Sequence, residues 1–146
     1  MSEKCCEDSC GCFDRGFGPD PWAEKLAKDE SKDSGLDAVD SGAMDAYRHM
    51  LWSAELARRY GAAKATFMTY GYEALKAPEY LGPSPTDDEL CQWSKGTMMD
   101  LHNNRLGINI GRDAKSWTEV IARVRSLIEQ AIQNPNGYKT IQICHK

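Results

Sequence analysis

The sequence predicts an all-α fold, a compact single domain of about five or six helices. Apolar residues recur at steps of three and four along most of the chain, the spacing that one face of a helix requires. Capping residues stand at the starts of these periodic segments, and glycine or proline stands at their ends. Only the segment 138–144 alternates as a strand does, and one strand has nothing to pair with. Helices around one core are therefore expected.

The first half of the chain predicts three helices. An Asp-Pro pair at 20–21 supplies an N-cap and a first helical residue. A stripe of small and apolar residues then predicts a long central helix that ends at Gly61, and a similar stripe predicts a third helix that stops before Pro78. The predicted spans are 22–29, 40–60 and 62–76. Trp22 and Leu26 are the expected apolar contacts of the first helix, and Ala63, Phe67, Tyr70 and Ala74 those of the third.

The second half predicts the remaining helices. Thr86 and Glu89 form a capping box that opens a short helix, which Gly96 separates from the next. That next helix opens at a box-like Thr97-x-x-Asp100 and runs to about residue 111. Another box, at 116–119, opens the most regular helix, which closes at 134–135. Its predicted core face comprises Trp117, Val120, Ile121, Val124, Leu127, Ile128 and Ala131.

Composition is that of an ordinary folded domain. The chain has 146 residues, of which 41% are hydrophobic and 27% charged, and this length suits one domain. Its 18 basic and 22 acidic residues give a net charge of −4, so no summed positive field is available to hold a nucleic acid. We interpret residues 1–19 as a Cys/Gly-rich N-terminal segment and residues 20–146 as a single α-helical domain.

Four of the six cysteines lie within the first twelve residues. Their spacing lacks the Cys-x2-Cys pairs of common zinc sites, and neighbouring acidic residues disfavour the thiolate form. A zinc site, disulfides and a flexible reduced tail remain open as interpretations. The clustered cysteines are Cys5, Cys6, Cys10 and Cys12.

No apolar run reaches the roughly 18 to 20 residues that a membrane-spanning helix needs. No apolar stretch follows the charged N-terminus as it does in a signal peptide. We therefore expect no membrane-spanning segment and synthesis in the cytoplasm, from which a secretion system or a phage would deliver the protein if it acts elsewhere.

The central helix carries an unusual set of polar residues. Asp45, Arg48, His49 and Trp52 stand at positions i, i+3, i+4 and i+7, which share one helix face. The helix is expected to be largely buried, and buried ionisable groups persist only when they are paired or coordinated. A buried ion pair that orients the helix and a functional site both fit this pattern.

A second polar cluster follows the Met-Asp-Leu-His-Asn-Asn run at 99–104. On a helix, the carboxylate and the two amides of this run lie on the same side as two later glycines. The glycines predict a groove that another helix can approach closely. The histidine of the run points to a different side of the helix. The residues that share one side are Asp100, Asn103, Asn104, Gly107 and Gly111. The alternative interpretation is that Asp100 is only the acidic member of a capping box and that Asn103 and Asn104 only satisfy backbone groups of the loop at 77–85. Because the two clusters supply enough ligands for a divalent metal or an acid/base pair, we expect the two polar faces to meet.

The Asp-x-x-Arg-His motif at 45–49 and the Met-Asp-Leu-His-Asn-Asn-x-x-Gly motif at 99–107 together resemble those of an uncharacterised family of bacterial and phage α-helical domains. Its members also occur as C-terminal modules of Rhs-type and wall-associated polymorphic toxins. The resemblance covers about residues 40–112 and implies a shared helical fold and site. Members often carry Ala-His-Glu near the end of the third helix, where this chain has Gly71-Tyr72-Glu73, so the resemblance implies a role for Glu73 although the histidine is replaced.

The leading hypothesis is a small toxin-like or lysis-associated hydrolase, with a site built from two helices, that acts on a phosphodiester or cell-wall substrate. Arg48 would steady an anionic group of the substrate. A divalent metal would be bound by His49, Asp100 and His102. A toxin role implies an immunity or inhibitor protein as partner. The candidate catalytic residues are Asp45, Arg48, His49, Glu73, Asp100, His102, Asn103 and Asn104.

The alternative hypothesis is a non-enzymatic phage or bacterial protein-binding domain in which the same residues form a structural polar network. Other enzyme classes lack their motifs. The sequence has no Gly-x-Ser-x-Gly, no Gly-rich phosphate loop and no His-Glu-x-x-His, so serine-hydrolase, P-loop and zincin chemistry have no support.

We predict that deletion of residues 1–12 leaves the fold and any activity of the helical body unchanged. Phe13 and Phe17 are the only large apolar residues of the N-terminal segment, too few to offset the roughly 1 to 2 kcal/mol per residue that ordering a backbone costs. Thermal melting and assay of the truncated chain beside the full chain check this. Failure of the truncated chain to fold, or loss of structure when a chelator removes stoichiometric zinc, would instead make the segment a structural element.

Overall fold

The computed structural model of the protein describes residues 20–36 and 42–133, which form five α-helices and contain no strand. The predicted all-α fold is confirmed. The strand-like segment 138–144 and the cysteine-rich segment 1–19 lie outside the described residues. Within the described part of the chain, no helix is both long enough and apolar enough to cross a membrane. The helices are α1 (Pro21–Lys32), α2 (Ala43–Tyr60), α3 (Ala62–Leu81), α4 (Asp87–Asp113) and α5 (Trp117–Gln133).

Local signals place several helix ends where the sequence predicts them. Asp20 caps α1, because its Oδ1 accepts hydrogen bonds from the backbone N–H groups of Trp22 at 3.0 Å and Ala23 at 3.1 Å. The predicted capping box at Thr86 begins α4. Gly61, with a φ of 88°, is the single residue between α2 and α3. A residue with a side chain is strained at this φ, so the turn requires glycine.

The predicted boundaries at Pro78 and Gly96 are wrong, and α1 runs three residues past its predicted end at 29. α3 continues past Pro78 to Leu81, so its last turns tolerate the backbone N–H donor that proline lacks. Gly82, with a φ of 62°, follows the end of the helix. α4 runs without a break through Gly96, because a helical glycine costs only about 1 kcal/mol and keeps its backbone hydrogen bonds. Asp100 therefore lies in the middle of a 27-residue helix and does not cap one.

α2 is the central helix of the fold. Every residue from Asp45 to Ala57 is buried, and α2 packs against each of the other four helices. Burial on all sides leaves the ionisable residues of α2 with protein groups as their neighbours. The large apolar side chains of α2 in the core are Tyr47, Met50, Leu51, Trp52 and Leu56, and those of α5 are Val120, Val124 and Ile128.

The predicted core face is right for α5 and wrong for α1 and α3. On α5 the predicted residues are buried or packed against the core. On α1 Trp22 is 61% exposed, and the small Ala23 and Ala27 pack inward instead. The predicted contacts of α3, namely Ala63, Phe67, Tyr70 and Ala74, are all exposed. The predicted face of α3 is exposed because the opposite face, which carries Tyr72, packs against α2. There the Tyr72 ring meets the Trp52 ring edge-on, with the ring centroids 4.9 Å apart.

α2 and α4 approach each other closely at two glycines of α4. A Cβ atom added at Gly107 would overlap the Met50 carbonyl oxygen and come within 2.9 Å of the Met50 Cα atom. One added at Gly111 would overlap the Ala54 carbonyl group and come within 2.7 Å of the Ala54 Cα atom. The predicted narrow groove is confirmed, and the contact fixes α4 against α2 two turns beyond Asp100.

A charge network joins the start of α1 to the end of α2. The fully buried Glu55 accepts hydrogen bonds from Arg58 and Arg59, each with an Nε atom at 2.8 Å. Arg59 also lies 3.3 Å from Asp20, and the Tyr60 hydroxyl donates to the same Asp20 oxygen at 2.8 Å. Burial acts to raise the pKa of Asp20, but these partners and the N-cap hydrogen bonds together lower it below its ordinary value.

Glu24 lies one turn after Asp20 on α1 and is 2% exposed. Neither of its carboxylate oxygens has a hydrogen-bond partner within the part of the chain that the structure describes. Burial, and next the negative charge of Asp20, raise the pKa of Glu24 to about 7. Folding is therefore linked to the protonation of this side chain.

We predict that alanine at Gly107 or Gly111 lowers the free energy of unfolding by about 2 kcal/mol or more, because the added methyl group overlaps the backbone of α2. Urea unfolding measures the change. Gly71→Ala is the matched control on α3. Its Cβ meets nothing within 4 Å, so it should stabilise the protein by about 0.5 to 1 kcal/mol. Equal effects at the three positions would contradict the close contact.

We predict that stability falls as the pH rises from about 4.5 to about 7, because folded Glu24 keeps a proton that the unfolded chain releases. Above this range the folded protein holds the charged form and its full desolvation cost. Glu24→Gln removes that cost and should raise the free energy of unfolding at pH 8 by about 1 to 3 kcal/mol, with little change at pH 4.5. Urea unfolding across this pH range measures the effect.

The control for this experiment is Glu129→Gln, which removes an exposed carboxylate from α5. It should leave the pH dependence of stability as it is in the parent. A Glu24→Gln variant whose stability follows the parent at every pH would show that Glu24 does not carry the raised pKa.

Candidate functional site

One buried face of α2 presents Asp45, Arg48, His49 and Trp52 in the helical register that the sequence predicts. Asp45 is 7% exposed, Arg48 2% and His49 3%. Positions i, i+3 and i+4 lie on adjoining turns of a helix, so the local sequence alone brings the two charges and the imidazole together. Tertiary structure then decides what else meets them.

Arg48 forms an ion pair with Asp45, its Nη2 atom donating to Oδ1. Both side chains are buried, and a buried pair loses hydration that only close contact and further hydrogen bonds offset. The sequence hypothesis gave Arg48 a role in binding an anionic substrate. In the structure its guanidinium engages Asp45 from within the core, a position suited to holding that carboxylate in place.

α4 brings Asp100 to the same face. His49 Nε2 lies 3.4 Å from Asp100 Oδ1 and 3.7 Å from Asp45 Oδ1. The Asp100 side chain is 14% exposed, more than the side chain of His49 or Asp45. The expectation that the two polar faces meet is confirmed by these contacts.

The three side chains have the spacing of metal ligands. One nitrogen of His49 and one oxygen each of Asp45 and Asp100 all lie within 4.8 Å of one another. Ligand atoms about 2.1 Å from a tetrahedral ion stand about 3.4 Å apart. The His49 distances of 3.4 and 3.7 Å match this edge and exceed the roughly 2.7 to 3.2 Å of an N–H···O hydrogen bond.

The charges at this face also favour a cation. Asp45 and Asp100 contribute two carboxylates, and Arg48 contributes one guanidinium. Two carboxylates that lie close together in a region of low solvent exposure favour the binding of a cation between them.

The other four predicted site residues are not members of this group. Glu73 is buried on the inward face of α3, and Asn103 and Asn104 are buried on α4. His102 is partly buried and lies two residues past Asp100, which turns it about 200° away around the helix. The predicted metal ligands were His49, Asp100 and His102. The structure groups Asp45 with the first two, and His102 stands outside.

A cavity of about 450 Å³ lies between the first half of α3 and the second half of α4. Sequence reasoning missed it, because a gap between two helices depends on how they diverge and not on the periodicity of either one. Tyr70 lines this cavity although its spacing predicted a core contact. The other lining residues are Ala62, Ala63, Thr66, Thr69, Leu101, Asn104, Arg105, Ile108 and Asn109.

A family comparison covers nearly all of this architecture. Residues 22–136 match the family described as domain of unknown function (DUF6973). The chain belongs to this family. No match was found among curated proteins or among solved structures. The part of the chain that matches DUF6973 contains every candidate site residue, from Asp45 to Asn104, so the site belongs to the family domain itself.

Proposed function

We propose that this DUF6973 domain is a small hydrolase whose divalent metal ion is bound by Asp45, His49 and Asp100. The observation that carries the proposal is the spacing of their donor atoms: His49 Nε2 lies 3.7 Å from Asp45 Oδ1 and 3.4 Å from Asp100 Oδ1, close to the edge of a tetrahedral site, and one donor atom from each residue lies within 4.8 Å of the other two. Mixed imidazole and carboxylate donors suit Zn²⁺ and Mn²⁺. Three protein ligands leave a coordination position open, as in catalytic zinc sites.

An ion held in this way supplies Lewis-acid chemistry and lowers the pKa of water, as hydrolysis of a phosphodiester or a cell-wall bond requires. The protein's own residues hold and orient the site. Arg48 fixes Asp45, and Asp100, the most exposed ligand, marks the side from which substrate approaches. Of the predicted residues outside the ligand group, Glu73 is the candidate for proton transfer, because His102 is turned away from Asp100 around the helix.

The biological role that we propose is that of a toxin-like or lysis-associated enzyme. It is supported by the resemblance of the motifs at 45–49 and 99–107 to modules of polymorphic toxins. The substrate would be a phosphodiester or a cell-wall bond. The net charge of −4 disfavours a large nucleic-acid surface. An immunity or inhibitor protein would be the partner.

The burial of the site favours a second candidate function. Asp45, Arg48 and His49 are each less than 10% exposed, as in a network that only holds helices together. In that case a protonated His49 would bridge the two aspartates, and the domain would bind another protein without catalysis. The two candidates differ in what compensates the carboxylates, a metal ion or a proton.

We predict that Zn²⁺ or Mn²⁺ stabilises the full chain, by about 2.7 kcal/mol at a free ion concentration 100 times the dissociation constant. Elemental analysis after purification and melting curves with added ion or chelator measure this. His49→Ala and Asp100→Asn should abolish the stabilisation. His102→Ala should keep it, which distinguishes the structural ligand group from the one that the sequence predicted.

The same variants separate catalysis from structure. Expression directed to the cytoplasm or to the periplasm, with growth as the readout, identifies the compartment of the substrate. A hydrolase loses toxicity in His49→Ala while its fold persists. A chain that neither binds nor responds to these ions, and whose variants only lose melting temperature, would support the protein-binding alternative.

A further inference from the structure

The wall of the cavity between α3 and α4 includes a buried side chain whose polar atoms have no hydrogen-bond partner among the described residues. Two polar residues of its wall are buried, Thr69 and Asn104. The Thr69 hydroxyl donates to the Thr66 carbonyl oxygen at 3.1 Å. Asn104 is 1% exposed, and neither its Nδ2 nor its Oδ1 atom has a hydrogen-bond partner among the described residues. Buried amides are nearly always paired, so an amide of this kind would gain two hydrogen bonds from a bound molecule that reaches it.

The rest of the wall fits a flat ring that carries an anionic group. Leu101 and Ile108 are apolar, and Tyr70 offers an aromatic face that is half exposed. Arg105 is charged, whereas no carboxylate is found among the described residues that line the cavity, although the whole chain is acidic. The volume of about 450 Å³ falls within the range of small-molecule sites.

We propose that this cavity binds a nucleoside monophosphate with adenine as its base. The carboxamide of asparagine pairs with adenine through two hydrogen bonds, because N6 donates and N7 accepts side by side. Asn104 makes this pair, after a side-chain rotation that turns its covered amide into the cavity. Tyr70 stacks on the base. Arg105 binds the phosphate through its N–H donors.

The cavity adjoins the candidate metal site along α4. Asn104 follows Asp100 by one helical turn, which is about 6 Å along the axis. If the proposed hydrolase function holds, nucleotide binding here implies that the phosphodiester hydrolysed at Asp45, His49 and Asp100 belongs to a nucleotide. Only this consequence rests on the proposed function. Binding in the cavity needs no metal ion, so the two can be tested apart.

Calorimetric titration of the full chain with 5′-AMP in the presence of EDTA tests the proposal. Saturable binding is expected, and ribose 5-phosphate, which lacks the base, should bind about tenfold more weakly or worse. Arg105→Gln should weaken AMP binding. Arg112→Gln removes an exposed charge from the same helix outside the cavity and should not. The proposal would be overturned if AMP does not bind or if ribose 5-phosphate binds equally well. Tighter binding of an N-acetylglucosamine disaccharide, or an equal loss of AMP affinity in the two arginine variants, would also overturn it.

Asn104→Leu tests the base contact. It should weaken AMP binding about tenfold without lowering the melting temperature, because the amide has no partner among the described residues to lose. Asn103→Leu is the matched comparison. Asn103 is equally buried but has a partner within the fold, so this change should lower the melting temperature. If Asn104→Leu binds AMP as well as the parent does, the proposed contact between Asn104 and the base is wrong. If Asn104→Leu does not fold, Arg105→Gln still tests the cavity, because Arg105 is exposed.

Discussion

The burial of Asp45, Arg48 and His49 on α2 is the constraint on which the positions of the other helices depend. A helix enclosed by four others can carry ionisable groups only if protein groups or bound ions compensate them. Arg48 compensates Asp45 within one turn, as Arg58 and Arg59 do for Glu55. His49 also contacts Asp100 on another helix, because α4 lies in backbone contact with α2. Two glycines of α4 permit this close packing.

Features set by local interactions could be predicted from the sequence. The N-cap at Asp20, the turn at Gly61 and the capping box at Thr86 each depend on residues within one turn of one another. The shared face of Asp45, Arg48 and His49 follows from helical geometry in the same way. The contact between α2 and α4 could also be predicted from local sequence. Two glycines four residues apart lie on one side of a helix, where the absence of side chains lets another helix approach closely.

Features set by competition between alternatives could not be predicted. α3 has an apolar stripe and a mixed one, and the contact of Tyr72 with Trp52 turns the mixed stripe inward. Gly96 looked like a boundary, but its cost is small against the hydrogen bonds of a continuous α4. Among the candidate ligands, helical geometry already turns His102 away from Asp100, whereas the membership of Asp45 depends on how α2 packs against α4.

The glycine contact between α2 and α4 also bears on ion selectivity. His49 and Asp100 lie on different helices, whose separation is fixed by backbone atoms at Gly107 and Gly111 and not by flexible side chains. With the helix backbones held at this separation, the donor atoms can move apart only as far as the side-chain torsions of His49 and Asp100 allow. Calcium takes about six to eight oxygen ligands at about 2.3 to 2.6 Å, whereas zinc takes four at about 2.0 to 2.3 Å. For the metal ion that we propose, a rigid backbone spacing of this kind would discriminate by ionic radius and coordination number, and it would favour the smaller ion.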